Sequence, residues 1–124
     1  MCLAVPDAYY YRTAKVGQTV KFPCHTTLDT DVDWARLLDT EKSRKMDIYL
    51  GNLGLQAGFD ARLTVLNKSQ SHTLVIYNVT VNDSATYQCV EDGGLGNRHF
   101  YVLNVEGDCL LSSFARCYNV WKYL

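Results

Sequence analysis

The sequence has no apolar run approaching the ~20 residues that a membrane-spanning helix needs, so no such span lies within it. It also lacks an excess of charge. Its 12 Lys+Arg stand against 13 Asp+Glu, a net charge of −1, and no basic cluster breaks the balance. Nothing electrostatic therefore directs it to nucleic acid or to an anionic lipid surface. No two of its five cysteines stand at C-x-x-C spacing, which excludes the usual zinc and dithiol redox motifs. The opening stretch "MCLAVPDAYYYR" lacks the basic and apolar regions of a signal peptide, so any leader or anchor is expected outside it. No repeat and no low-complexity segment occurs, and no helical stripe is convincing before residue 106.

What remains is a chain of 124 residues, the length of one domain, with 48% apolar residues, enough for a packed core. Its cysteines are widely spaced, and three glycosylation sequons begin at Asn67, Asn78 and Asn82. Together these features point to an oxidising, secretory setting and predict an extracellular protein, secreted or part of an ectodomain. Strand signals dominate. In "VGQTVKFPC", Val20, Phe22 and Cys24 alternate inward. "DVDWARL" sets Val32, Trp34 and Arg36 on one face, "MDIYLGN" is a short strand, and "ARLTVLNKSQSHTLVIYNV" reads as two strands around a polar turn, with Leu74 and Ile76 inward. "TYQCVE" and "NRHFYVLNV" flank the glycine-rich hairpin "DGGLG". Seven to nine such strands predict an all-β sandwich or barrel. Beyond it, Leu110, Phe114, Cys117, Trp121 and Leu124 recur at helical spacing, which fits an amphipathic helix or, equally, an extended stalk.

One stretch narrows the choice. "DSATYQC" places Asp83, Ala85, Tyr87 and Cys89 on alternate positions. Cys24 lies upstream on an inward parity, Trp34 follows it by ten positions, Arg62 opens the strand "RLTV", and Leu74 faces inward. With these residues, and the "VGQTV" turn before Cys24, residues 5–106 resemble the immunoglobulin superfamily. The resemblance implies an immunoglobulin-like β-sandwich of two antiparallel Greek-key sheets. It implies a Cys24–Cys89 disulfide between the sheets, Trp34 packed on it, and the Tyr87 hydroxyl bonded back to the backbone at a corner. Asp83 near the core end needs a cation, and Arg62 is the candidate. The span from Trp34 to Arg62 leaves room for C′ and C″ strands, so the domain looks V-type, with an I-type domain as the alternative. The last strand, "HFYVLNV", lacks the Phe-Gly-x-Gly bulge of antigen-receptor variable domains. That departure implies a non-rearranging immune-type receptor or adhesion molecule. Residues 1–106 form the expected domain and 107–124 a C-terminal extension.

Candidate chemistry is thin. His25, His72 and His99 fall in separate segments without a nucleophile and read as surface or loop residues. Asp29, Asp31 and Asp33 alternate like half a calcium loop, but Trp34 and Thr40 stand where an EF-hand needs Gly and Glu. No enzyme, cofactor or metal is expected. If Trp34, Tyr87 and Cys89 point inward, then Ala35, Leu37, Gln88, Val90, Phe100 and Val102 point outward, with Tyr49 joining them. The expectation is an exposed apolar face on the G, F, C and C′ strands that binds a protein partner, with a homodimer as one form. The rival mode uses the loop tips at Asp29, Asp31, Asp92, Leu95 and Asn97 to hold a foreign ligand. A secreted enzyme or carrier on a similar sandwich is the rival of another class. Asn67 and Asn78 are the sequons expected to be accessible, Asn82 less so. Among the cysteines outside the core pair, the local Cys109–Cys117 bridge needs the least rearrangement. It would make the tail a compact loop rather than a helix and leave Cys2 free or joined to a second chain.

Overall fold

The computed structural model describes residues 8–26, 31–38, 44–56, 61–68, 71–92 and 95–107. They form nine strands: β1 (Ala8–Lys15), β2 (Val20–Phe22), β3 (Asp33–Leu37), β4 (Lys45–Leu50), β5 (Gly54–Leu55), β6 (Leu63–Lys68), β7 (Ser71–Ile76), β8 (Ala85–Val90) and β9 (Arg98–Glu106). One sheet has the order β1-β9-β8-β3-β4-β5 and the other β2-β7-β6. The two face each other as an immunoglobulin-like β-sandwich. The short β5 beside β4 is the C″ strand that marks the V-type arrangement. Among the described residues no helix is long and apolar enough to cross a membrane.

Alternation builds the core. Val20 and Phe22 are buried while Lys21 between them is exposed. Trp34, Leu74, Ile76, Tyr87, Cys89, Tyr101, Leu103 and Val105 fill the space between the sheets. Tyr101 knits it together, stacking on Phe22 with centroids 4.6 Å apart and meeting Trp34 at 6.0 Å. Gly17, at φ +93°, turns the chain from β1 in one sheet to β2 in the other and donates its N–H to the Val79 carbonyl at 2.9 Å. A side chain at that φ is strained, which is why "VGQTV" has glycine there.

The first described strand lacks the pattern that marks the others. The strand at Ala8–Lys15 is "AYYYRTAK", which shows no apolar alternation because three tyrosines run in succession. It pairs parallel with β9 along its full length, from Ala8↔His99 to Lys15↔Glu106. Tyr9 and Tyr11 fall on one face of the sheet and Tyr10 and Arg12 on the other. The adjoining strand, not periodicity, makes this segment β.

Candidate functional site

The base of the sandwich is held by polar contacts around Asp83. This residue sits in a short 3-10 turn, Val81–Asp83, just before β8 rather than in the strand itself. Arg62 donates to both carboxylate oxygens, at 2.8 and 3.2 Å, and the Thr80 N–H donates to one at 2.8 Å. Burial pushes the Asp83 carboxyl up, but the Arg62 hydrogen bonds, the Thr80 N–H and the nearby Arg62 and Arg36 charges outweigh it. The net result lies below the ordinary 3.8. The Tyr87 hydroxyl donates to the Asp83 carbonyl at 2.6 Å, closing the corner. Burial, first of all, pushes its pKa up to about 12. At the centre, Cys24 and Cys89 form the inter-sheet disulfide, with Cα atoms 6.4 Å apart. Trp34 lies fully buried and donates Nε1–H to the His72 carbonyl at 3.1 Å.

The expected exposed face is not exposed. Ala35, Leu37, Gln88, Val90 and Phe100 are all buried, and Val102 is half-buried. Their outward parity is as expected: Gln88 pairs with Phe100 on one side and Ala35 on the other. The error lay in equating outward with open.

Tyr49 is a second correction. It does not join that face. The register shifts between Trp34 and Ala35, so Trp34 opposes Tyr49 while Ala35 opposes Asp47. The extra residue, Ile48, is buried, and Tyr49 turns toward the second sheet, where its hydroxyl accepts the Asn67 Nδ2–H at 2.7 Å. A bulge moves a side chain across the sheet without any mark in the apolar pattern.

The histidines are also corrected. His72 lies buried on β7, and its Nδ1 meets Asn67 Oδ1 at 2.8 Å. Its Nε2 is buried without a hydrogen-bond partner among the described residues. His99, half-buried on β9, contacts the buried Glu91 through Nε2 at 2.8 Å. Only His25 is exposed. Among the described residues no group of three or more metal-ligating side chains occurs.

At the loop tips Asp31, Asp92 and Asn97 are exposed and Leu95 is 88% exposed. Asp29 lies outside the described residues, as do Cys109 and Cys117. Asn67, Asn78 and Asn82 are exposed, and the Asn67 amide is already engaged by Tyr49 and His72.

The surface that the sequence reading missed is β1. Tyr9, Tyr10 and Tyr11 are all exposed, Tyr11 by 73%. Tyr9 stacks on Phe100 at 4.7 Å and Tyr10 on Tyr101 at 5.0 Å. Arg12 lies over the rings of Tyr10 and Tyr101, at 5.9 and 5.6 Å. Tyr9 and Tyr10 are therefore fixed by packing on β9 while keeping open surface, and Tyr11 projects beside them. Three consecutive tyrosines were the available signal, and register was needed to show that they lie along a sheet edge.

The disulfide, the buried Trp34, the Tyr87 corner and the Arg62–Asp83 pair thus stand together in a sandwich with C′ and C″ strands. The family model for the immunoglobulin V-set domain matches residues 9–105. The chain belongs to the immunoglobulin V-set family. No curated protein matches it significantly. As a V-set domain it is a recognition or adhesion module, a class whose members commonly bind protein partners. The disulfide fits the extracellular setting typical of such domains.

Proposed function

We propose that this V-set domain is the extracellular recognition module of an immune-type receptor or adhesion molecule, and that it takes a protein partner along the β1–β9 edge. The observation that carries this reading is the exposed Tyr9–Tyr10–Tyr11–Arg12 run held on β9. Tyrosine and arginine are, with tryptophan, the side chains enriched at the energetic centres of protein interfaces. Rings already stacked on Phe100 and Tyr101 lose little freedom on binding. The domain performs no chemistry in this reading: its buried polar groups hold the two sheets rather than converge on a pocket.

A second reading is favoured by Leu95, which stands on the β8–β9 hairpin with most of its surface open. There the loop tips, with Asp31, Asp92 and Asn97, would hold the ligand.

The test is staining by a tetramer of the full chain on cells that each display one surface-protein ectodomain. Tyr11→Asp is expected to abolish staining of the cognate cell and leave the melting temperature almost unchanged, since exposed substitutions usually stay within ±0.5 kcal/mol. Staining retained by Tyr11→Asp but lost in Leu95→Asp would transfer the function to the loop tips. Staining lost in neither would refute both surfaces.

A further inference from the structure

Phe100 has no exposed surface, although the register sends it to the sheet face opposite the disulfide. The row Tyr9–Phe100–Gln88–Ala35–Asp47 crosses five strands, and its three central side chains are 0%, 6% and 2% exposed. Val90 and Leu37 on the same face are buried as well. The second sheet cannot cover them, because it packs on the other face, where Trp34, Tyr87 and Cys89 point. Tyr9 stacks on Phe100 from the neighbouring strand, and one stacked ring leaves the other side of Phe100 to be covered.

We propose that the C-terminal segment, residues 108–124, is the cover, laid back across the β9-β8-β3-β4 face with Leu110, Phe114 and Trp121 toward Phe100 and its neighbours. The chain leaves β9 at Glu106, six residues past Phe100, or about 20 Å at strand rise. A segment of this length spans about 25 Å at the helical rise of 1.5 Å per residue and more when extended, so it is long enough to return to Phe100. Its composition suits the task. From residue 109 onward it holds two cations, Arg116 and Lys122, no anion, and a high proportion of large apolar side chains. The sequences at 39–43 ("DTEKS") and 57–60 ("AGFD") are too short and too polar to cover a five-strand row. The inference goes beyond the β1 reading: the face is taken from within the chain, so a partner uses the β1 edge beside it or displaces the segment.

The two tryptophans make this measurable. Trp34 is fully buried, so acrylamide quenching of the intact chain reports Trp121, and Trp121→Phe identifies that signal. In the wild-type chain Trp121 is expected to be shielded. Leu110→Asp/Phe114→Asp is expected to raise its quenching constant several-fold and to create binding of an apolar dye, with the urea midpoint lowered modestly, because the docked segment stabilises only the folded state, and with unfolding still cooperative. Equal quenching in wild type and double variant would overturn the proposal. Dye binding released by Leu3→Asp, with Trp121 open throughout, would overturn it in favour of the N-terminal segment. Shielding that vanishes on dilution, together with a dimer in sedimentation, would overturn it in favour of a second copy. Tyr11→Asp is expected to leave Trp121 shielded. A failure of β1 recognition is thereby distinguishable from a failure of this proposal.

Discussion

Replacing Cys24 and Cys89 together by alanine is expected to lower the unfolding free energy by about 4 kcal/mol. The disulfide closes a loop of 65 positions, and the chain-entropy relation assigns that magnitude to a loop of this size. The two cysteines are buried at the centre of the core, so alanines there also lose packing. In urea unfolding the midpoint should fall sharply. The m-value should rise, because the unfolded chain without the cross-link exposes more surface. An unchanged midpoint would mean that the sheets are held without the covalent tie. Since about 4 kcal/mol is a large fraction of a small domain's 5–15 kcal/mol, the variant is expected to be far closer to unfolding at physiological temperature.

Arg62→Ala is expected to cost about 3 kcal/mol, and Asp83→Ala a similar amount, because each breaks a partly buried, hydrogen-bonded carboxylate–guanidinium pair. Asp83 is the more sensitive partner. Its side chain is 8% exposed against 29% for Arg62, so the carboxylate has less recourse to water. Losing Asp83 also frees the Thr80 N–H. The double variant should lose less than the sum of the two, since the residues share one contact. The pair also sets a pH dependence. The folded carboxyl titrates below 3.8, so the unfolded chain binds more protons as the medium turns acid. The contribution is complete at neutral pH, where both states are ionised, and is lost as the pH falls through the folded value. Thermal melts of wild type should therefore drop below about pH 4, and in Arg62→Ala that drop should be shallower. Parallel acid profiles for the two proteins would remove Arg62 as the cause.

Local chemistry made the centre of the fold legible. Cys24, Trp34, Tyr87 and Cys89 are residues whose types are uncommon and whose roles demand fixed spacing along strands. Asp83 announced its need for a cation because a buried carboxylate has few alternatives. Tyr49 was not legible. A bulge changes which face a residue takes by inserting one position, and an insertion leaves the apolar pattern intact on both sides of it. His72 was not legible either. A histidine in a polar turn sequence looks exposed until β6 brings Asn67 to its ring and the segment after β2 brings the Cys24 carbonyl to its backbone N–H.

The sequence by itself determined the parity of β2, β3, β7, β8 and β9 and the core residues they carry, because alternation and disulfide chemistry act within a few residues or through side chains of unmistakable type. It also determined which residues face away from the core: Ala35, Gln88 and Phe100 do lie on the outer face of the sheet. Only the tertiary structure decided that this face is closed, that "AYYYRTAK" is a strand, and that its tyrosines form the open aromatic surface. Exposure belongs to a surface only once every other part of the chain has been placed. Parity is set by the pleat of one strand, whereas burial is set by what lies across from it.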